Sequence, residues 1–178
     1  MLAGCFDCPM PYPQARTEIL IGAEGLARLR AAQVLVAGLG GVGGYVAEAL
    51  GRAGVGRLTL LDHDVVSLSN LNRQLLALHS TLGQPKVEVM AERLRDMDPT
   101  LELTLIDQFL RPEGAEALVT AAPYDYVADC IDSIACKAAL VAACHRHGVP
   151  VISALGAGNC LDVSRVRVAQ LNQTRMCP

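Results

Sequence analysis

Val34-Leu35-Val36-Ala37-Gly38-Leu39-Gly40-Gly41-Val42-Gly43-Gly44 decides the fold, and Asp62-His63-Asp64 closes the unit it opens. A short β-branched run enters a glycine turn, and an alanine-rich helical pattern leaves it over residues 45–52. Strand, turn, helix and acidic strand end together make a nucleotide pocket. Gly38 permits the tight turn, Gly40 lets backbone N–H groups approach phosphate oxygens, and Gly43 lets the helix pack on the strand. The helix start presents unpaired N–H donors and a partial positive charge to an anion. Asp62 stands 19 residues after Gly43, where a ribose-binding carboxylate is expected. This pattern specifies an adenine nucleotide and leaves NAD, FAD and ATP open. A glycine turn packed in a core without any ligand is the bland alternative.

Outward from this unit, strands and helices alternate. Residues 16–30 read as a helix, with Ile19, Leu20, Leu26 and Leu29 apolar and Gly22 and Gly25 as interruptions. Strands are expected at 33–37, 57–62, 101–106, 126–130 and 149–153, and helices at 41–52, 86–96, 112–120 and 134–147. A loop with a short helix covers 64–74, and a second short helix lies near 75–79. Residues 163–171 alternate well enough for one more strand, antiparallel to the rest. The expected fold is α/β: a Rossmann-like, doubly wound, mainly parallel sheet with helices on both faces. Ligands of such sheets bind beyond the carboxyl ends of the strands. Gly38, Asp62, Asp132 and Gly156 each follow an expected strand end, so they share one rim.

The 178 residues suit one domain with a sizeable core. Residues 1–15 form an irregular arm with three prolines, and 16–178 form the nucleotide-binding domain. Hydrophobic residues are 52% and charged residues 19%, a globular rather than a disordered composition. The net charge of −3 gives no bulk electrostatic reason to bind nucleic acid. No apolar run is long enough to span a bilayer. The seven cysteines fall at irregular spacings and read as reduced thiols of a cytoplasmic protein. Cys5-x-x-Cys8 is half a zinc motif without a second pair, so a structureless tail is favoured.

The segment after Asp62 narrows the chemistry. It offers Asn70, Arg73 and Gln74 on a loop, then Lys86 at a helix start. Arg73 and Lys86 can neutralise a triphosphate, the first with its fork and the second as a point charge. Asp132 follows a strand and can hold Mg2+ on phosphate oxygens. A cationic pair with a metal-binding acid suits nucleotidyl transfer, in which charge develops on phosphate as pyrophosphate departs. Taken singly, each has a duller role: Arg73 as a surface residue, Lys86 as a solvated helix residue, Asp132 as a cap for the helix near Ser133. An NAD oxidoreductase is the weak reading, because it has no task for Arg73 and Lys86.

Gly38-x-Gly40-Gly41-x-Gly43, Asp62-x-Asp64-x-Val66-x-x-Ser69-Asn70-x-x-Arg73-Gln74, Gly83-x-x-Lys86 and Asp129-Cys130-Ile131-Asp132 resemble the E1-like adenylating superfamily that includes ThiF, MoeB and HesA. The resemblance implies ATP and Mg2+, with a monovalent cation as an option, and a carboxylate converted to an acyl-adenylate. It makes Gly38, Gly40, Gly41, Gly43, Asp62, Asp64, Asn70, Arg73, Gln74 and Lys86 the nucleotide-binding set. In it Asp62 takes the ribose hydroxyls, Asn70, Arg73 and Lys86 contact phosphates, and Asp132 holds the metal. Arg16 matches an arginine that crosses a homodimer interface into the partner's site.

Two branches of the superfamily compete. Asn72-Arg73-Gln74, residues 86–93, residues 128–133, Lys137-Ala138-Ala139-Leu140 and Gly156-Ala157-Gly158 are more similar to the tRNA threonylcarbamoyladenosine dehydratases. Their reaction implies activation of the threonyl carboxylate of a modified adenosine in tRNA, then ring closure by the carbamoyl group with loss of AMP. The other branch adenylates the Gly-Gly tail of a ubiquitin-like sulfur carrier and usually carries two zinc-binding Cys-x-x-Cys pairs, which this sequence lacks. Members continue past Cys177-Pro178 with a basic segment, so a trimmed chain and a non-catalytic nucleotide-binding fragment are a third reading.

Overall fold

The β1 strand, Gln33–Ala37, is buried along almost its whole length because it lies at the centre of a five-stranded parallel sheet. The computed structural model describes residues 12–156 and 161–174. Around β1 the order is β3-β2-β1-β4-β5, with β2 at Arg57–Asp62, β3 at Glu102–Asp107, β4 at Tyr126–Asp129 and β5 at Val151–Ser153. All four pairings are parallel. The strand order reverses between β1 and β4, and that switch point opens a crevice beyond their carboxyl ends.

Side chains of β1 alternate between two cores, as the period of a strand demands. Val34 and Val36 join Leu58, Leu60, Val87, Met90 and Leu94 on one face. Leu35 and Ala37 join Leu118, Val127, Leu140 and Ala143 on the other. Helices α2 (Gly43–Ala53) and α3 (Lys86–Met97) cover the first face. Helices α4 (Ala115–Thr120) and α5 (Ile134–His147) cover the second. The expected doubly wound sheet is therefore the observed one.

Helix α1, Ala15–Ala31, breaks where Gly22 adopts φ 74° and ψ 168°. Gly25 continues the helix, so only one of the two expected interruptions occurs. Leu26 is buried and Leu29 packs on the core, but Ile19 and Leu20 are 63% and 84% exposed. The break leaves those two side chains on solvent instead of on an apolar side shared with Leu26 and Leu29. The second short helix lies at His79–Thr81 rather than at 75–79. The 112–120 helix begins as a 3-10 turn, Pro112–Gly114, before α4.

The strand expected at 163–171 does not form. Val163–Arg165 is a 3-10 turn, Leu171–Gln173 is another, and the residues between have no regular structure. Val166 and Val168 are 67% and 92% exposed. Alternating residues promise an apolar face, but a strand also needs a neighbour to accept its N–H groups, and no described strand pairs with this segment. The Cys5-x-x-Cys8 pair, Cys160, Cys177 and the Ala157-Gly158 part of the glycine motif lie outside the described residues.

Candidate functional site: a nucleotide-binding rim at the switch point

The glycine turn is clamped between β4 and α2. Gly38 has φ 90°, and a Cβ there would stand 2.8 Å from the Cys130 carbonyl oxygen. A Cβ on Gly43 would stand 1.7 Å from the Gly38 carbonyl oxygen. No side chain larger than hydrogen fits at Gly43 while the turn keeps this path. Helix α2 starts beside the turn with Val42 at its cap position and no side-chain cap bond. The Gly44 N–H donates to the Gly40 carbonyl at 3.3 Å, and a helix start of this kind carries a partial positive charge suited to an anion.

Asp62 sits at the end of β2, 7% exposed. Its Oδ2 accepts the Leu39 N–H at 2.6 Å, and its Oδ1 accepts the Asp64 N–H at 2.9 Å. The carboxylate thus ties the glycine turn to the strand end beside it. Each oxygen keeps acceptor capacity for a hydroxyl, so the ribose role expected of Asp62 fits this geometry.

The loop after β2 folds back over the turn. A Cβ on Gly41 would touch the Arg73 Cγ at 3.5 Å, and one on Gly40 would lie 3.9 Å from the Gln74 Nε2. Asn70 is buried and spends its Oδ1 on the Ser67 N–H at 3.0 Å, which shapes the short 3-10 turn Leu68–Asn70. Arg73 is exposed, and its Nη1 donates to the Ser69 carbonyl at 3.1 Å and the Asn72 Oδ1 at 3.0 Å. Its stem lies on the glycine turn and its other guanidinium nitrogens have no partner among the described residues, a disposition suited to phosphate oxygens.

Lys86 is 3% exposed, and its Nζ donates to Asp64 Oδ2 at 2.7 Å. Backbone pairing carries it there: Val66 N–H to Gln84 O at 2.8 Å, Gly83 N–H to Val66 O at 2.9 Å, and Lys86 N–H to Asp64 O at 3.0 Å. The Lys86 hydrogen bond holds the Asp64 carboxyl below its ordinary range, against the opposing effect of burial. Asp64 also meets the His63 ring nitrogen at 3.3 Å, and that ring stands edge-on to Phe109 with centroids 4.8 Å apart. Lys86 is thus an ammonium at the rim with an acidic partner, and Asp64, expected among the nucleotide-binding residues, is that partner.

Asp132 follows β4 beyond Cys130 and Ile131, whose backbone atoms crowd Gly38. It is exposed and makes no hydrogen bond or ion pair with another described residue. Mg2+ keeps several waters and takes one or two carboxylates together with phosphates. One open carboxylate, two residues beyond the Cys130 carbonyl that packs on the glycine turn, fits that requirement. Asp62, His63 and Asp64 also bring ligand atoms within 4.8 Å of one another, with Asp64 Oδ2 bonded to Lys86 and each Asp62 oxygen to one backbone N–H. Burial, with the Asp129 charge second, pushes the Cys130 thiol up to about 11, which leaves it protonated and inert beside the turn.

Arg16 lies exposed in the first turn of α1. Gly156, the last described residue before 157–160, is exposed after β5. The rim also holds a motif acid to which the resemblance assigned no role. Asp129 is fully buried and bonds Lys137 Nζ at 2.7 Å and Ser153 Oγ at 2.6 Å. The available signal was Lys137, one of two lysines in the chain, eight residues after an acid.

The pattern of the ThiF family matches residues 13–177. The chain is 43% identical over 155 residues to the tRNA threonylcarbamoyladenosine dehydratase of Haemophilus influenzae, covering 87% of this chain and 59% of that protein. It is 42% identical over 130 residues to the molybdopterin-synthase adenylyltransferase of Escherichia coli, covering 73% of this chain and 51% of that protein. The crystal structure of the E. coli tRNA N6-threonylcarbamoyladenosine dehydratase in complex with ATP superposes with a TM-score of 0.89 at 40% identity, over 93% of this chain and 68% of that one. The chain thus spans about three fifths of the length of the dehydratase from H. influenzae. Sequence pattern, strand order and superposition agree: this chain belongs to the ThiF family.

Proposed function

We propose that the rim binds ATP with Mg2+ and adenylates a carboxylate, and that the carboxylate is the threonyl group of threonylcarbamoyladenosine in tRNA. The observation that carries this reading is the loop 70–74 folded over the glycine turn, with the Arg73 stem on Gly41. It brings the Arg73 side chain onto the glycine turn from which α2 starts, while Lys86 is bound to Asp64, two residues beyond the end of β2. The carboxylate oxygen attacks the α-phosphorus and pyrophosphate leaves. Arg73 and Lys86 offset the charge that grows on the phosphates, and Asp132 would hold Mg2+, which would supply further positive charge to them. The carbamoyl group then attacks the acyl carbon and AMP leaves, closing the ring. Asp62 holds the ribose while Asn70 and Gln74 keep the loop in place. The protein works in the cytoplasm as a homodimer, with Arg16 reaching the partner's site and the exposed Ile19 and Leu20 close by on the same helix segment.

Isotope exchange between pyrophosphate and ATP tests the reading. Exchange that requires tRNA carrying threonylcarbamoyladenosine supports it, and Asp132→Ala should abolish that exchange with the urea midpoint unchanged. Exchange that requires a protein ending in Gly-Gly favours activation of a sulfur carrier instead, a reading kept by the 42% identity to the molybdopterin-synthase adenylyltransferase. ATP binding without exchange under either condition leaves a nucleotide-binding unit alone.

A further inference from the structure

Asp129 and Lys137 have no part in the reaction as written, yet they sit against its site. Asp129 ends β4 at 0% exposure. Its Oδ2 accepts Lys137 Nζ at 2.7 Å and Ser153 Oγ at 2.6 Å, and its Oδ1 accepts the Ile131 N–H at 3.1 Å. Lys137 Nζ also donates to Ser153 Oγ at 3.1 Å. A buried ion pair is weak evidence for stability, since desolvation offsets the attraction. The place of this one is more telling. The Ile131 bond, with Cys130 N–H to Ala37 O at 2.8 Å, fixes the two residues that lead to Asp132. Lys137 N–H to Ser133 O at 2.9 Å closes the first turn of α5 just beyond it. Asp132 therefore hangs on a turn pinned at both ends, while its own side chain is tied to no described residue.

We propose that Asp129, Lys137 and Ser153 are positioning residues for the Asp132 carboxylate, which they set at the switch point to meet a divalent cation on nucleotide phosphates. The inference rests on the ATP·Mg2+ reading above. Lys137 has a second effect: it saturates Asp129, so a neighbouring acid does not compete for the cation. Supporting groups of this kind typically change metal affinity by about 10–100-fold when removed.

Calorimetric titration of the full chain with ATP, across Mg2+ concentrations and again in EDTA, tests this without any turnover. Asp132→Ala and Lys137→Met should each raise the Mg2+ concentration for half-maximal binding by about tenfold, with the affinity in EDTA unchanged. The double variant should be no worse than Asp132→Ala alone, because both act on one carboxylate. Equal losses with and without Mg2+, or additive effects in the double variant, overturn the proposal. Should urea unfolding show that Lys137→Met does not fold, Ser153→Ala decides: it removes one hydroxyl and should still raise the Mg2+ requirement, and an unmoved requirement overturns the proposal. Wild-type chain that binds no ATP overturns the nucleotide reading and this one together. Wild-type binding with an unmoved Mg2+ requirement in every positioning variant overturns this one alone.

Discussion

Single atoms set the tolerances of the rim. A methyl on Gly43 would sit 1.7 Å from a backbone oxygen of Gly38, and backbone cannot swing aside as a flexible side chain can. Gly43→Ala should cost about 3 kcal/mol and abolish ATP binding, measured by urea unfolding and calorimetry. Asp64 sets a pH limit. Its folded carboxyl lies below the ordinary value of 3.8 because Lys86 donates to it. A depressed folded value means that the contribution is complete above the ordinary range and fades as pH falls through the folded value. The stability difference between wild type and Asp64→Asn should be constant near neutral pH and shrink below about pH 4. A difference that grows in acid would contradict the pairing with Lys86. Asp62 was legible at this scale because its spacing from the glycines is local. The Lys86–Asp64 bond was not, since 22 residues and a chain reversal separate the two.

Among the elements, β1, α2 and β2 follow from pattern because each has one apolar requirement and neighbours close in sequence. The segment 163–171 shows the converse: its alternation was legible, but pairing depends on an edge that sequence does not display. Helix α1 is intermediate. Its break was foreseeable at two glycines, and the structure uses Gly22, where φ is 74° and nothing lies within 4 Å of an added Cβ. Gly22→Ala should therefore cost about 1 kcal/mol from backbone strain alone, read as a lower urea midpoint with an unchanged slope. An unchanged midpoint would mean that the helix straightens freely at this position.

At the scale of the whole molecule, the candidate site lies where strand order reverses, between β1 and β4. The glycine turn there touches both α2 and the exit of β4. ATP with Mg2+ should raise the unfolding temperature of the wild type, equivalent to about 2.7 kcal/mol at a hundredfold excess over Kd. Arg73→Ala should cut that gain while the ligand-free unfolding temperature stays put, as measured by differential scanning fluorimetry. An equal gain in both proteins would remove Arg73 from the phosphate site.

The amino-acid order by itself determined the parallel α/β sheet, the glycine turn, the acid at the end of β2 and the kinship that points to nucleotide chemistry. These depend on short-range periodicity and fixed spacings, which survive in one dimension. Tertiary structure alone decided that Lys86 is buried against Asp64, that Arg73 lies over Gly41, and that Asp129 rather than Asp132 is the saturated acid. Those choices depend on which distant donors reach a carboxylate once water is excluded, and burial exists only after the chain has closed on itself.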